Sequence, residues 1–83
     1  MNKVLVRVFF PQIDKWYEIW IPINKKVSSV IQLLSEGVND LNDGNFPFSD
    51  SLILYNWQTG DYYDPDSLVK YTDIKNGTEL ILI

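Results

Sequence analysis

The chain has 83 residues and a net charge of −4, and it contains neither cysteine nor histidine. This length suits one domain with a small core, and the acidic balance argues against nucleic acid or an anionic membrane surface as partner. The missing residue types remove disulfides, thiolate chemistry, the commonest general base and the commonest metal ligand.

Lys3 to Phe10 reads as the first strand. Val4, Val6 and Val8 alternate with Lys3, Leu5, Arg7 and Phe9, and the charged residues mark the outer face. Pro11 has no amide hydrogen to donate, so Pro11 to Lys15 is a turn. Trp16 to Ile21 is the second strand, with Tyr17, Ile19 and Ile21 inward and Trp16, Glu18 and Trp20 outward. A turn of this length joins the two strands as an antiparallel hairpin.

Val27 to Leu41 is the only stretch with a helical period. Val27, Val30, Ile31, Leu34, Val38 and Leu41 form one stripe, Leu33 flanks it, and Ser28, Ser29, Gln32, Ser35, Glu36, Asn39 and Asp40 lie on the other side. Asn24 is the N-cap candidate and Gly44 the terminator. Gly37 weakens the helix by about 1 kcal/mol relative to alanine. Asn42 to Asp50 is a loop rich in turn residues, in which Phe46 and Phe48 are expected to tuck onto the core.

Leu52 to Trp57 is the third strand, with Leu52 and Leu54 inward and Ile53, Tyr55 and Trp57 outward. Gln58 to Gly60 turns the chain into a short fourth strand, Asp61 to Tyr63. Asp64 to Ser67 is expected to cap a helical turn over Leu68 to Tyr71. Asn76-Gly77 signals a turn, and Thr78 to Ile83 is the last strand, with Leu80 and Leu82 inward and Glu79, Ile81 and Ile83 outward. No internal repeat or linker interrupts the chain. The fold class is therefore α+β: one helix across a mixed sheet of four or five strands, in a single domain over residues 1–83.

No constellation for catalysis stands out. Asp61, Asp64 and Asp66 could offer oxygens to a hard cation. They lack the pattern of a calcium loop, and a solvated turn accounts for them. Lys25 and Lys26 form the only adjacent basic pair, and a solvated face accounts for them too. Without histidine there is no Ser-His-Asp set, and no phosphate-cradling glycine loop occurs. No enzymatic activity, cofactor or metal is expected.

The informative feature is apolar surface. Three tryptophans, five tyrosines and four phenylalanines exceed what one small core can hide. A helix covers one face of the sheet, which leaves Leu5, Phe9, Trp16, Trp20, Ile53, Tyr55, Trp57, Ile81 and Ile83 on the other. Tryptophan, tyrosine and large apolar patches mark interfaces. The expected protein-binding residues are Ile53, Tyr55, Trp57, Ile81 and Ile83, with Trp20 as an edge-strand candidate. The expected occupant is another protein or a second copy of the chain.

The order of strand, strand, helix, loop, strand, short strand, helical turn and strand resembles the β-grasp of ubiquitin through nearly the whole length. The series Ile19, Ile21, Ile23, Val27, Val30, Leu34 has the spacing of the second strand and helix of ubiquitin. The run Ser67 to Ile83 is similar to its helical turn, loop isoleucine, turn and final strand. The start at Met1, Asn56, Ile74, Asn76-Gly77 and the end at Ile83 look most like the YukD type, also called EsaB. These are small ubiquitin-like proteins of Gram-positive type VII secretion systems, and actinobacterial systems carry a similar domain fused to a membrane channel component. The resemblance implies an accessory or regulatory part in secretion, with a generic ubiquitin-like scaffold or adaptor of another pathway as the alternative. It also implies recognition by the outer sheet face, parallel first and last strands at the sheet centre, and no catalytic residues. A terminal Gly-Gly, which conjugation and sulfur carriage require in this family, is absent at Ile83. With no apolar run of about 18 residues and no leader pattern after Met-Asn-Lys, no membrane insertion is expected and the location is the cytoplasm.

Overall fold

A computed structural model describes residues 2–44 and 51–83. Its elements are β1 (Lys3–Phe10), β2 (Lys15–Pro22), α1 (Val27–Leu41), β3 (Leu54–Asn56), a 3₁₀ turn (Val69–Tyr71) and β4 (Glu79–Leu82). The described strands form one sheet in the order β2-β1-β4-β3. β1 pairs antiparallel with β2 and parallel with β4, and β3 pairs antiparallel with β4. The first and last strands thus run parallel at the sheet centre, as the family resemblance implied.

Alternation sets the faces. Val6, Val8, Phe10, Ile21, Leu54, Leu80 and Leu82 are buried beneath Val27, Val30, Leu34 and Val38 of α1, with Val69 and Ile74 closing the core. Val4, Tyr17, Ile19 and Leu52 pack against its margin. Lys3, Arg7, Glu18 and Glu79 therefore identified the solvent face correctly, whereas Lys15, at the exposed start of β2 opposite Phe10, falls on the core-facing parity.

The ends of the helix depart from the sequence reading. The N-cap position is Lys26, not Asn24, and no side chain caps it. The Val27 and Ser28 N–H groups donate instead to the backbone oxygens of Ser67 and Pro65, at 2.9 and 3.0 Å. Carbonyls from a distant loop satisfy donors that a side chain near Asn24 was expected to serve. At the other end the Gly44 N–H bonds to the Asn39 oxygen at 2.8 Å, and Asp43 adopts φ 54°. That is the Schellman closure, with Asp43 rather than glycine in the left-handed position and Gly44 (φ 78°) following it.

Two positions on α1 also depart from the expected stripe. Ser35 is buried, because its Oγ donates to the Ile31 oxygen at 2.8 Å and needs no water. Leu41 is 66% exposed. Val30 lies eleven residues earlier, close to three full turns, so both residues point the same way. Val30 is 0% exposed. The side of the helix towards β2 is therefore covered at its start and uncovered at its end.

After β3 the expected fourth strand reduces to a single bridge between Tyr55 and Tyr62. Backbone bonds flank that bridge, from the Asn56 N–H to the Asp61 oxygen at 2.8 Å and from the Tyr63 N–H to the Leu54 oxygen at 2.9 Å, and Asn56 Oδ1 closes the intervening turn by accepting the Gln58 and Thr59 N–H groups. The Asp64 to Ser67 segment does not cap the 3₁₀ turn, whose N-cap position is Leu68. Asp64 Oδ1 instead accepts the Asp66 N–H at 2.9 Å, closing a local turn of its own. The expected packing of Phe46 and Phe48 lies outside the described residues.

Leu34 is 2% exposed in the centre of the core. Leu34→Ala is expected to lose about 2–5 kcal/mol of stability in a denaturant melt. A loss below about 1 kcal/mol would mean that the helix stripe does not anchor the fold.

Candidate functional site

The face of the sheet opposite α1 can be assembled rung by rung from the strand registers. Trp16, Phe9, Ile81 and Tyr55 form one rung across all four strands. Glu18, Arg7 and Glu79 form the next, and the Trp57 N–H extends it by donating to the Glu79 oxygen at 2.9 Å. Beyond the first rung Ile53 and Ile83 exchange two backbone bonds, at 2.9 and 3.1 Å. Trp20 sits opposite Leu5 on β2.

Five of the six expected residues are therefore brought together. Ile53, Tyr55, Trp57, Ile81 and Ile83 share the half of the face built by β3 and β4. Ile53 is 40% exposed, Trp57 46% and Ile83 51%. Trp20, at 52% exposure, is not part of this group, because it lies on the opposite edge strand and at the other end of the sheet.

The sequence reading missed how much of this face covers itself. Trp57 leans back over the sheet, so that its ring lies 5.6 Å from Phe9 and 5.1 Å from Trp16, both edge-to-face. Phe9 and Trp16 are 5.2 Å apart. The Arg7 guanidinium sits 4.8 Å above the Trp16 ring and pairs with Glu79 at 2.7 Å. Three rings and one cation thus form a self-packed cluster beside the open patch. Trp57 belongs to both. Tyr62, exposed and bridged to Tyr55, extends the patch beyond β3. Alternation identified the face but could not show contacts that run across it.

Asn56 orders the turn that follows Trp57. Its Oδ1 accepts the N–H groups of Gln58 and Thr59 at 2.9 and 3.1 Å, and its Nδ2 donates to the Tyr63 hydroxyl at 3.0 Å. Tyr63 in turn donates to Asp73 Oδ1 at 2.7 Å. Burial pushes the Tyr63 hydroxyl from 10.0 up to about 12, and the Asp73 carboxylate adds to the shift while the Asn56 bond works against it. Among the described residues no three carboxylates converge as a metal-holding group, and no helix is long and apolar enough to cross a membrane.

No family model and no curated protein matches the chain. Solved structures do. The EccD5 ubiquitin-like domain from Mycobacterium xenopi superposes with a TM-score of 0.79, over 100% of this chain and 94% of that one, at 17% identity. A chain of the MycP5-free ESX-5 inner membrane complex gives a TM-score of 0.80 at 18% identity. It is matched over 100% of this chain and 21% of its own length. An N-terminal ubiquitin-like domain solved in solution gives 0.75 at 18% identity, over 99% of this chain and 74% of that one. At these identities the likeness is one of fold, and it agrees with the topology: the chain has the ubiquitin-like β-grasp fold.

The raised Tyr63 value gives a signed expectation. Between pH 10.0 and about 12 the unfolded chain has released a proton that the folded chain still holds. The contribution is complete below the lower value and disappears as pH rises through the upper one. Urea midpoints should fall across this window, and Tyr63→Phe should flatten the fall. A phenolate absorbance titration should lose its step near pH 12 in the same variant; an unchanged titration would remove Tyr63 as the source of that step.

Proposed function

We propose that the chain is a ubiquitin-like protein-interaction module, and that it serves as an accessory component of a type VII secretion machine in the cytoplasm, as the YukD or EsaB type does. The observation that carries the binding part is the grouping of Ile53, Tyr55, Trp57, Ile81 and Ile83 on one uncovered half of the sheet. Apolar side chains gathered in this way mark interfaces on soluble domains. The secretion part is supported by the likeness to the EccD5 domain and to a chain of the ESX-5 inner membrane complex. With neither histidine nor cysteine in the sequence, the reading assigns binding rather than catalysis. The partner is a component of the secretion machine, with self-association through the same face as the alternative.

The test places a charge in the patch. Ile53→Asp should leave the fold intact, since the side chain points outward. It should weaken partner binding by about 2 kcal/mol or more if Ile53 sits in a desolvated centre. Pull-down from native extract is expected to recover a secretion-machine protein with the wild type and lose it with the variant. Sedimentation over a range of concentrations reads self-association in the same pair. A folded variant that keeps every partner and the same mass sinks the assignment of this face.

A further inference from the structure

A small crevice of about 130 Å³ opens between α1 and the edge of the sheet at β3. Ile31 of the helix, Leu52 ahead of β3, Tyr63 and Pro65 build its walls. Ile31, Leu52 and Tyr63 pack against the core and stay partly open to water. Ile53 and Tyr62 complete the lining. Both have the parity of the outer face, since Tyr62 is bridged to Tyr55, so they mark where the crevice meets the outer patch.

The walls are fixed. The Tyr63 hydroxyl donates to Asp73 Oδ1 at 2.7 Å and accepts from Asn56 Nδ2 at 3.0 Å, so its ring cannot swing in to fill the space. The Tyr63 N–H donates to the Leu54 oxygen at 2.9 Å, and the Pro65 oxygen accepts the Ser28 N–H at 3.0 Å. The segment 63–65 is thereby tied to the sheet at one end and to the helix at the other, with the proline ring fixing φ between them. An apolar hole whose walls do not collapse is preorganised for an occupant.

The rim carries one sign of charge. Asp61 and Asp64 flank the two tyrosines, and Asp64 and Asp66 flank Pro65. All three are exposed, and Arg7–Glu79 is the one ion pair among the described residues, so none of the three is held in such a pair. Beyond its burial, the Tyr63 hydroxyl feels the charges of Asp73 and Asp61, both of which hold its proton in place, as a negative field does. The carboxylates do not converge as a metal-holding group. They suit separate cations spread along a partner rather than one ion.

Size and charge together narrow the occupant. A dry cavity of ~150 Å³ accepts a benzene ring, so this one takes a single branched aliphatic or phenyl side chain. We infer that the crevice receives one leucine- or phenylalanine-like side chain of another protein, carried on a segment whose flanking residues are lysine or arginine. Burial in the hole supplies affinity, and Asp61, Asp64 and Asp66 supply attraction and orientation. The site lies on the helix side of the β3 edge. It depends neither on the secretion reading nor on the outer face being an interface.

The probe is a peptide with one leucine between two pairs of lysines and both ends blocked. One control has serine for the leucine, and another has glutamines for the lysines. With the wild type, backbone amide shifts should centre on Ile31, Leu52, Tyr63 and Asp64 at millimolar peptide. The serine control should bind at least ~10-fold more weakly, as burial of a branched aliphatic side chain requires. The glutamine control should bind several-fold more weakly at low salt. Ile31→Phe fills the crevice from inside and should remove the preference for leucine over serine, with cooperative unfolding retained. Asp61→Asn, Asp64→Asn and Asp66→Asn together should equalise the lysine and glutamine peptides and keep the preference for leucine. The two variants remove the two halves of the recognition separately, so a general loss of structure cannot imitate them. Ile83→Ser alters the outer face and should bind the peptide as the wild type does, so failure of that face as an interface leaves this result standing. The proposal is overturned if the serine control binds as well as the leucine peptide, or if folded Ile31→Phe keeps the preference. It is overturned if the shifts fall on Trp57 and Ile83, or if none appears. It is overturned equally if the peptide binds only after Phe46→Ser or Phe48→Ser, which would make this chain its own occupant, or if sedimentation shows a dimer that Ile31→Phe dissociates.

Discussion

Val8 and Leu80 face each other across the central strand pair, both fully buried, although 71 residues separate them in the chain. Everything else depends on this parallel pairing of β1 with β4. A parallel pair has no hairpin to set its register, so other contacts must set it. The turn before β4 does so. Asn76 Oδ1 accepts the Leu5 N–H at 2.8 Å, and the Gly77 N–H donates to the Leu5 oxygen at 2.8 Å. Gly77 holds φ 88°, which a side chain would strain. Arg7 then meets Glu79 one step along. With β1 and β4 in register, β2 and β3 can only occupy the two edges, and the helix can only cover the face bearing Val6, Val8, Leu80 and Leu82.

That constraint explains what was legible in the sequence. Strand faces were legible because Lys3, Arg7, Glu18 and Glu79 each mark the outer side and a period of two does the rest. The helix was legible because a spacing of three and four is maintained from Val27 to Val38. Its boundaries were not. The donors at Val27 and Ser28 are satisfied by Ser67 and Pro65, roughly forty positions away, and no local pattern encodes a partner at that distance. Leu41 keeps the period and still lies in water, because a period states which way a residue points and not whether anything is there to cover it. The segment around Tyr62 does bond to β3, through the Asn56 and Tyr63 N–H groups on either side of one bridge, but the pairing goes no further and it is not a strand of its own.

The outer face shows why counting aromatic residues overstates an interface. Phe9, Trp16 and Trp57 are outward by parity, yet they bury much of one another and draw Arg7 over Trp16. Surface removed from water within the protein is not available to a partner. What remains is the margin of Trp57 together with Ile53, Ile83 and Tyr62 beside it. The cluster does contribute rigidity: a tryptophan held edge-on by two rings loses little freedom when a partner covers it.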